Sequence, residues 1–289
     1  MDHHLPDPAT VAPFYIAAPR QQTAPLVFAS AHSGRNYNPA FLAAARLDAS
    51  GLRRSEDSFV DDLFSGAPAH GVPLLAATFP RAYCDPNREA WELDPAMFDG
   101  PLPPWVNTTS ARVGAGLGTI ARIVASGEAI YRAKLQFSDA ESRIEACWIP
   151  YHRALTALID ATRQQFGACL LLDCHSMPTT GSNRETQPDF VLGDAHGTSC
   201  AAPVVRLVED MLTGFGYTVR RNDPYAGGYV TRHYGRPRER THALQIEVSR
   251  SLYMDEARFE RRPAFSTLQR HLSDLAKNLA AAVPGLLAP

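Results

Sequence analysis

The chain has 289 residues, 45% of them hydrophobic, and carries 28 Lys and Arg against 30 Asp and Glu, for a formal net charge of -2. That is apolar material for a substantial core, and so balanced a charge excludes the basic footprint of a nucleic-acid-binding protein. No apolar run reaches the roughly eighteen residues that a membrane-spanning helix needs; the five cysteines, odd in number and without a CxxC pair, argue against a disulfide framework or thiolate zinc site and for a reducing compartment.

The N-terminus lacks a charged segment followed by an apolar core, so no signal peptide is expected and the cytoplasm is the expected location. Residues 1–24 read as an irregular segment of one domain spanning 1–289, with His3 and His4 disordered. A buried strand is predicted over 26–31; His32 follows it, and Ser33-Gly34 turn the chain. "RRSEDSFVDDLF" then puts Glu56 and Asp57 at the start of a helix over 57–67, where the helix dipole favours acids. A second strand is predicted over 73–79, and the Pro-rich stretch 94–107 reads as an ordered loop.

The clearest helix covers 138–166. Ser138 and Glu141 form a capping box, and Ile144, Trp148, Tyr151, Leu155 and Leu158 make one apolar face. His152 reads as a satisfied histidine facing the sheet. "LLLDCHSMP" supplies a strand over 169–173 that runs into Asp173, Cys174 and His175. Helix 199–214, strand 217–220, strand 243–248 and helix 257–282 follow. Between the last two strands "RHYGRPRER", 232–240, reads as a loop with a basic lining that can hold a small anion. Strands alternating with helices predict a three-layer α/β/α sandwich with a mixed, mostly parallel sheet. Ligands in such folds collect at the carboxyl ends of the strands.

Three strand ends carry polar groups that can converge: His32, then Asp173 and His175, then Glu247. Two neutral imidazoles and a carboxylate are a common catalytic zinc shell, and a further carboxylate can serve as general base. The parts on offer are His32, His175 and Asp57 (or Glu56) as ligands, with Glu247 as base. Glu247 is the sharpest signal, because "ALQIEV" is otherwise a strand interior where an unpaired charge is costly. Cys174, between Asp173 and His175, points to the opposite face on a two-residue period and reads as core.

The segments "SAHSGRNY", "SEDSFVDDLF", "YCDPNRE", "PYHRAL", "LLDCHSMP", "FVLGDAHGTSC", "PYAGGYVTRHYG" and "HALQIEVSRSLYMDE" together resemble the N-formylglutamate amidohydrolase family, from about Pro25 to Glu256. That family is similar in layout to zinc carboxypeptidases and to aspartoacylase and succinylglutamate desuccinylase, so the resemblance implies a zinc-exopeptidase-like fold. The order His32, Asp57, Asn87-Arg88, His175, Glu247 follows theirs. One departure is clear: their early acid stands three residues after the histidine, where this chain has Arg35. Asp57 is preferred over Glu56 because the resembled family carries Asp there.

The resemblance implies zinc-dependent hydrolysis of a small N-acyl amino acid, N-formyl-L-glutamate first, in histidine breakdown. It implies Arg88 and Asn87 as substrate contacts, with Arg81 and Arg232 as further guanidiniums for the carboxylates. His233 is the expected stabiliser of the developing oxyanion, and Asp173 the expected hydrogen-bond acceptor of a ligand imidazole. Gly227 and Gly228 suit a loop approaching a ligand closely. Other N-acyl amino acids or small peptides are the alternative substrates; a non-catalytic binding protein on a degenerate hydrolase scaffold is the alternative of another class. Nucleic acid and membrane are not expected partners, and the sequence leaves the oligomeric state open.

Overall fold

A computed structural model describes residues 11–179 and 187–287; His3 and His4 lie outside the described residues. The strands are β1 (Phe14–Ala17), β2 (Leu26–Ser30), β3 (Leu74–Ala77), β4 (Cys169–Met177), β5 (Phe190–Gly193), β6 (Val219–Arg221) and β7 (Thr241–Ser249). They form one seven-stranded sheet in the order β1-β3-β2-β4-β7-β5-β6. β2 pairs parallel with β4 and β4 with β7, whereas β5 runs antiparallel to β7 and parallel to β6. The expected α/β class with a mixed, mostly parallel sheet is therefore what forms.

The helices are α1 (Pro39–Ala44), α2 (Ala49–Arg53), α3 (Val60–Leu63), α4 (Ala111–Gly114), α5 (Phe137–Arg143), α6 (Ile149–Phe166), α7 (Ala202–Gly214), α8 (Tyr229–Tyr234) and α9 (Phe265–Leu286). The chain divides into two compact units: a larger one of Ile16–Ser30, Asp57–Leu75 and Ala154–Pro289, and a smaller one of Ala31–Glu56 and Ala76–Arg153 with the stretch before Ile16.

In the larger unit the central strands are buried on both faces, as parallel strands in such sheets are. Strand alternation sorts their side chains. Leu26 and Phe28, Leu170, Leu172 and Cys174, Leu244, Ile246 and Val248 join residues of α3, α7 and α9 in one apolar core. The intervening residues, Asp173 and His175 on β4 and Gln245 and Glu247 on β7, share the other face.

Several local expectations change, and the first is that residues 1–24 are not wholly irregular, since β1 (Phe14–Ala17) lies within them. β4 runs on to Met177, so Cys174 and His175 lie within the strand rather than beyond it. The predicted helix over 57–67 is the short α3 followed by a 3-10 turn over Ala67–His70, and Asp57 sits in the turn before it, with Phe59 left-handed at φ 66°. The helix-dipole reason for an acid at Asp57 thus falls away. The long helix over 138–166 is α5, a π-helical turn at Ile144–Trp148 and α6. Pro150 accounts for the break, since it cannot donate and its ring crowds the preceding turn. The capping box is Gln136 with Asp139, not Ser138 with Glu141. Starting the helix there brings Phe137 onto Trp91 and Trp105, at ring distances of 6.1 and 5.9 Å. Finally, the predicted helix over 257–282 begins at Phe265, and a short hairpin of Met254–Asp255 and Glu260–Arg261 precedes it. Among the described residues no helix is long and apolar enough to cross a membrane.

Cys174 lies wholly inside the apolar core, where burial, followed by the neighbouring Asp173 charge, pushes its thiol pKa well up. A nucleophilic thiolate is disfavoured there. Cys174→Ala is expected to keep the parental turnover rate and to lose about 1 kcal/mol of stability; steady-state assays and urea denaturation check both, and a large loss of turnover in a folded variant would contradict the core assignment.

Candidate active site

The larger unit assembles its polar groups on two neighbouring strands. In the parallel β4–β7 register His175 stands opposite Glu247, and Asp173 opposite Gln245. Each strand carries a bond along its own length. Asp173 Oδ1 lies 2.9 Å from His175 Nε2, and Gln245 Nε2 donates to Glu247 Oε1 at 2.8 Å. The helix α8 reaches the same face: Thr231 Oγ1 donates to Asp173 Oδ2 at 3.1 Å, and the Gly228 N–H donates to Gln245 Oε1 at 2.8 Å.

Asp57 enters from the turn before α3. Its Oδ2 lies 2.9 Å from His175 Nδ1, and its Oδ1 accepts from Arg250 Nη2 at 3.1 Å. Arg250, one residue past β7, also donates to Ser176 Oγ at 3.1 Å. Burial alone pushes the His175 imidazole down, but Asp173, Asp57 and Glu247 outweigh it and hold its pKa well above the ordinary value. Arg250 is likewise held above its usual range by Asp57 against the opposing effect of burial.

In the smaller unit His32 follows β2 by two residues and is buried. Its Nε2 lies 2.7 Å from Asp85 Oδ1. Asp85 also accepts from the Asn87 N–H at 2.8 Å and from Arg81 Nη2 at 2.8 Å. Burial would raise the Asp85 carboxyl, but Arg81, His32 and Arg88 hold it well below the ordinary carboxylate range. Arg88 is tied to backbone, with Nε donating to the Leu117 carbonyl at 2.7 Å and Nη1 to that of Asn87 at 2.6 Å. Arg81 is the more exposed of the two guanidiniums, at 22% against 9%.

Glu56 and Asp57 separate clearly. Glu56 accepts from Tyr37 Oη at 3.0 Å and from Arg53 Nε at 3.1 Å within the smaller unit, whereas Asp57 meets His175. His152 is satisfied by the Pro86 carbonyl at 2.8 Å and stacks on Trp148. Arg232 and His233 stand exposed on α8. Arg232 Nε donates to the Gly227 carbonyl at 3.1 Å, and His233 stacks on Tyr229, its imidazole held below the ordinary pKa by burial and by Arg236.

Sequence reasoning missed Asp85, Arg250, Gln245 and Thr231. Asp85 was within reach, as the acid opening the "DPNR" turn. Gln245 was too, as a second polar residue on the Glu247 face of β7. Arg250 and Asp57 are 193 residues apart, and no local pattern joins them.

The donor chemistry around His175 suits a divalent cation. Asp57, Asp173 and Glu247 are buried carboxylates, against one buried guanidinium, Arg250. A buried excess of negative charge is costly unless something positive offsets it. Arg250→Met would strand Asp57, and is expected to cost about 3–5 kcal/mol, as loss of one partner of a buried pair does. Urea denaturation measures it, and a variant as stable as the parent would show the pair to be unimportant.

The N-formylglutamate amidohydrolase family model matches residues 24–254. The N-formylglutamate deformylase of Pseudomonas aeruginosa is 32% identical over 240 residues, covering 80% of this chain and 83% of its own. That of Pseudomonas putida is 30% identical over 239 residues, covering 80% and 82%. The crystal structure of N-formylglutamate amidohydrolase from Ralstonia eutropha JMP134 is 42% identical and superposes with a TM-score of 0.89, over 94% of this chain and 99% of that one. A protein from Agrobacterium tumefaciens, 17% identical with a TM-score of 0.63 over 95% and 97%, shares the fold. The motifs, the fold and the matched span agree, and this chain belongs to the N-formylglutamate amidohydrolase family.

Proposed function

We propose that this chain is a metal-dependent amidohydrolase that cleaves N-formyl-L-glutamate to formate and L-glutamate. The observation that carries the proposal is the buried block of Asp173, His175 and Glu247 with Asp57 bonded to His175. Family membership supplies the substrate, through relatives that bear the name N-formylglutamate deformylase.

His32, Asp57 and His175 are the proposed ligands of one divalent ion, zinc first. All three are buried, and each offers one ligand atom of a type that zinc accepts. An ion there supplies Lewis acidity toward the formyl carbonyl and a water of lowered pKa. The protein does the rest. Asp173 accepts a hydrogen bond from His175 Nε2 and so leaves Nδ1, on the Asp57 side, as the donor atom. Asp85 holds His32 through Nε2 in the same manner. Arg250 keeps the Asp57 carboxylate in place.

Glu247 takes the proton from the attacking water and passes it to the amide nitrogen. The C–N bond then breaks, with the pair of electrons leaving on a protonated amine. Glutamate carries two carboxylates, and the planar guanidinium fork suits each. Arg81, partly exposed and already fixed at one end by Asp85, is the foremost candidate for one of them. Arg88 with Asn87 shapes that turn, and Arg232 on α8 is the candidate for the other. Histidine breakdown in the cytoplasm is the setting this chemistry fits.

Chelator treatment is expected to abolish formate release from N-formyl-L-glutamate, and added zinc to restore it, with metal content measured on the same preparation. A panel of N-formyl, N-acetyl and N-succinyl amino acids tests the acyl specificity; no formate from N-formyl-L-glutamate with metal-loaded protein would sink the proposal. Glu247→Gln is expected to lower kcat by about 10²- to 10⁴-fold while metal content stays at the parental level, and near-parental turnover would remove Glu247 as base.

A further inference from the structure

Gly193 stands on β5 directly opposite Gln245 of β7. A side chain at Gly193 would meet the backbone of Ala226 and Gly227 at 2.7 and 2.8 Å, so the glycine is what allows residues 225–228 to lie against the sheet. Gly227 itself has φ of 120°, a conformation that side chains rarely adopt. Among its hydrogen bonds, two tie this segment to the residues after β5 and to β7: the Ala195 N–H to the Ala226 carbonyl at 2.7 Å, and the Gly228 N–H to Gln245 Oε1 at 2.8 Å. Gly228 is also the residue that opens α8.

The other end of the same amide holds Glu247, with Nε2 donating to Oε1 at 2.8 Å. The partners leave one orientation for the Gln245 side chain. A peptide N–H only donates, and an ionised carboxylate only accepts. Gln245 is buried, so neither bond competes freely with water.

We propose that Gln245 is the positioning residue of Glu247, and that through it the 225–228 segment sets the carboxylate of the base. The inference rests on the role proposed above for Glu247. A glutamate side chain has three torsions, and a hydrogen bond to one carboxylate oxygen narrows the positions the group can take. Misplacement of a reacting group by about 1 Å can cost about 10²-fold in rate. The glycines of "FVLGDAHG" and "PYAGGYV" acquire a purpose in this reading: they let a backbone N–H reach the amide that holds the base.

The test compares the metal-loaded parent with Gln245→Leu, Glu247→Gln, the double variant and Gly193→Ala, reading kcat, KM and metal content with N-formyl-L-glutamate. Gln245→Leu is expected to lower kcat at least about tenfold, with KM within about twofold and metal content unchanged. In the Glu247→Gln background the same substitution should cost nothing further, because the group it positions is gone. Gly193→Ala, which pushes the segment off the sheet without altering either side chain, should also lower kcat. Parental kcat in Gln245→Leu, or an equal fold-loss in both backgrounds, overturns the inference. Should Gln245→Leu not fold, Gln245→Glu carries the same expectations, since it keeps the acceptor for Gly228 and loses the donor to Glu247; parental kcat there overturns it equally. The two readings fail differently: an active Glu247→Gln removes the base itself, whereas an inactive Glu247→Gln beside a fully active Gln245→Leu removes only the positioning role.

Discussion

The parallel pairing of β4 with β7 is the constraint on which the active-site chemistry depends. In that register Asp173 faces Gln245 and His175 faces Glu247. Because side chains alternate, a slip of β4 by one residue against β7 would send Asp173 and His175 into the apolar core and bring Leu172 and Cys174 out beside Gln245 and Glu247. The apolar face made by Leu170, Leu172, Cys174, Leu244, Ile246 and Val248 therefore fixes the polar face as well. The register is a packing decision with a chemical consequence.

That polar block is held from two directions. Along the strands, Asp173 bonds to His175 and Gln245 to Glu247. From α8, Thr231 and the Gly228 N–H complete Asp173 and Gln245. Each long-range contact orders a group that would otherwise be free to turn, which is how a site reaches the tolerance its chemistry needs. The smaller unit repeats the device on its own scale: Asp85 accepts from His32, Arg81 and the Asn87 N–H at once. One carboxylate thus ties a candidate ligand to a candidate substrate contact.

Much of this was legible in the sequence, for a stated reason. Alternation within "LLLDCHSMP" separates Asp173 and His175 from Cys174, and an acid inside "ALQIEV" marks Glu247; both signals are local and survive without the fold. Strand positions were legible for the same reason, although the end of β4 was set four residues short, because polar residues in a fully buried strand look like a strand end. The partners were not legible. Asp85 is 53 residues from His32, and Arg250 is 193 from Asp57. β5 escaped because four residues, "FVLG", carry no period of their own. Adjacent Glu56 and Asp57, ranked in the sequence only by the family resemblance, differ in their contacts: Arg53 and Tyr37 engage the first, and His175 and Arg250 the second.

Stability alone gives a poor account of this cluster. Asp57, Asp173, Glu247 and Arg250 are all buried, with His175 held toward its charged form. Replacing buried ionic groups by well-packed apolar ones is often neutral or stabilising, by about 1–4 kcal/mol, and the opposite face of the same two strands shows that apolar packing suits this sheet. A scaffold kept only for its fold would lose nothing by replacing the whole set at once with apolar residues, although removing any one member alone strands its partner. Here the acids, the imidazole, the guanidinium and the polar groups that satisfy them occur together, each with an identified partner. Such a set is expensive to keep and poor at holding a fold, which is the reason for the proposal that it holds a cation and a proton acceptor.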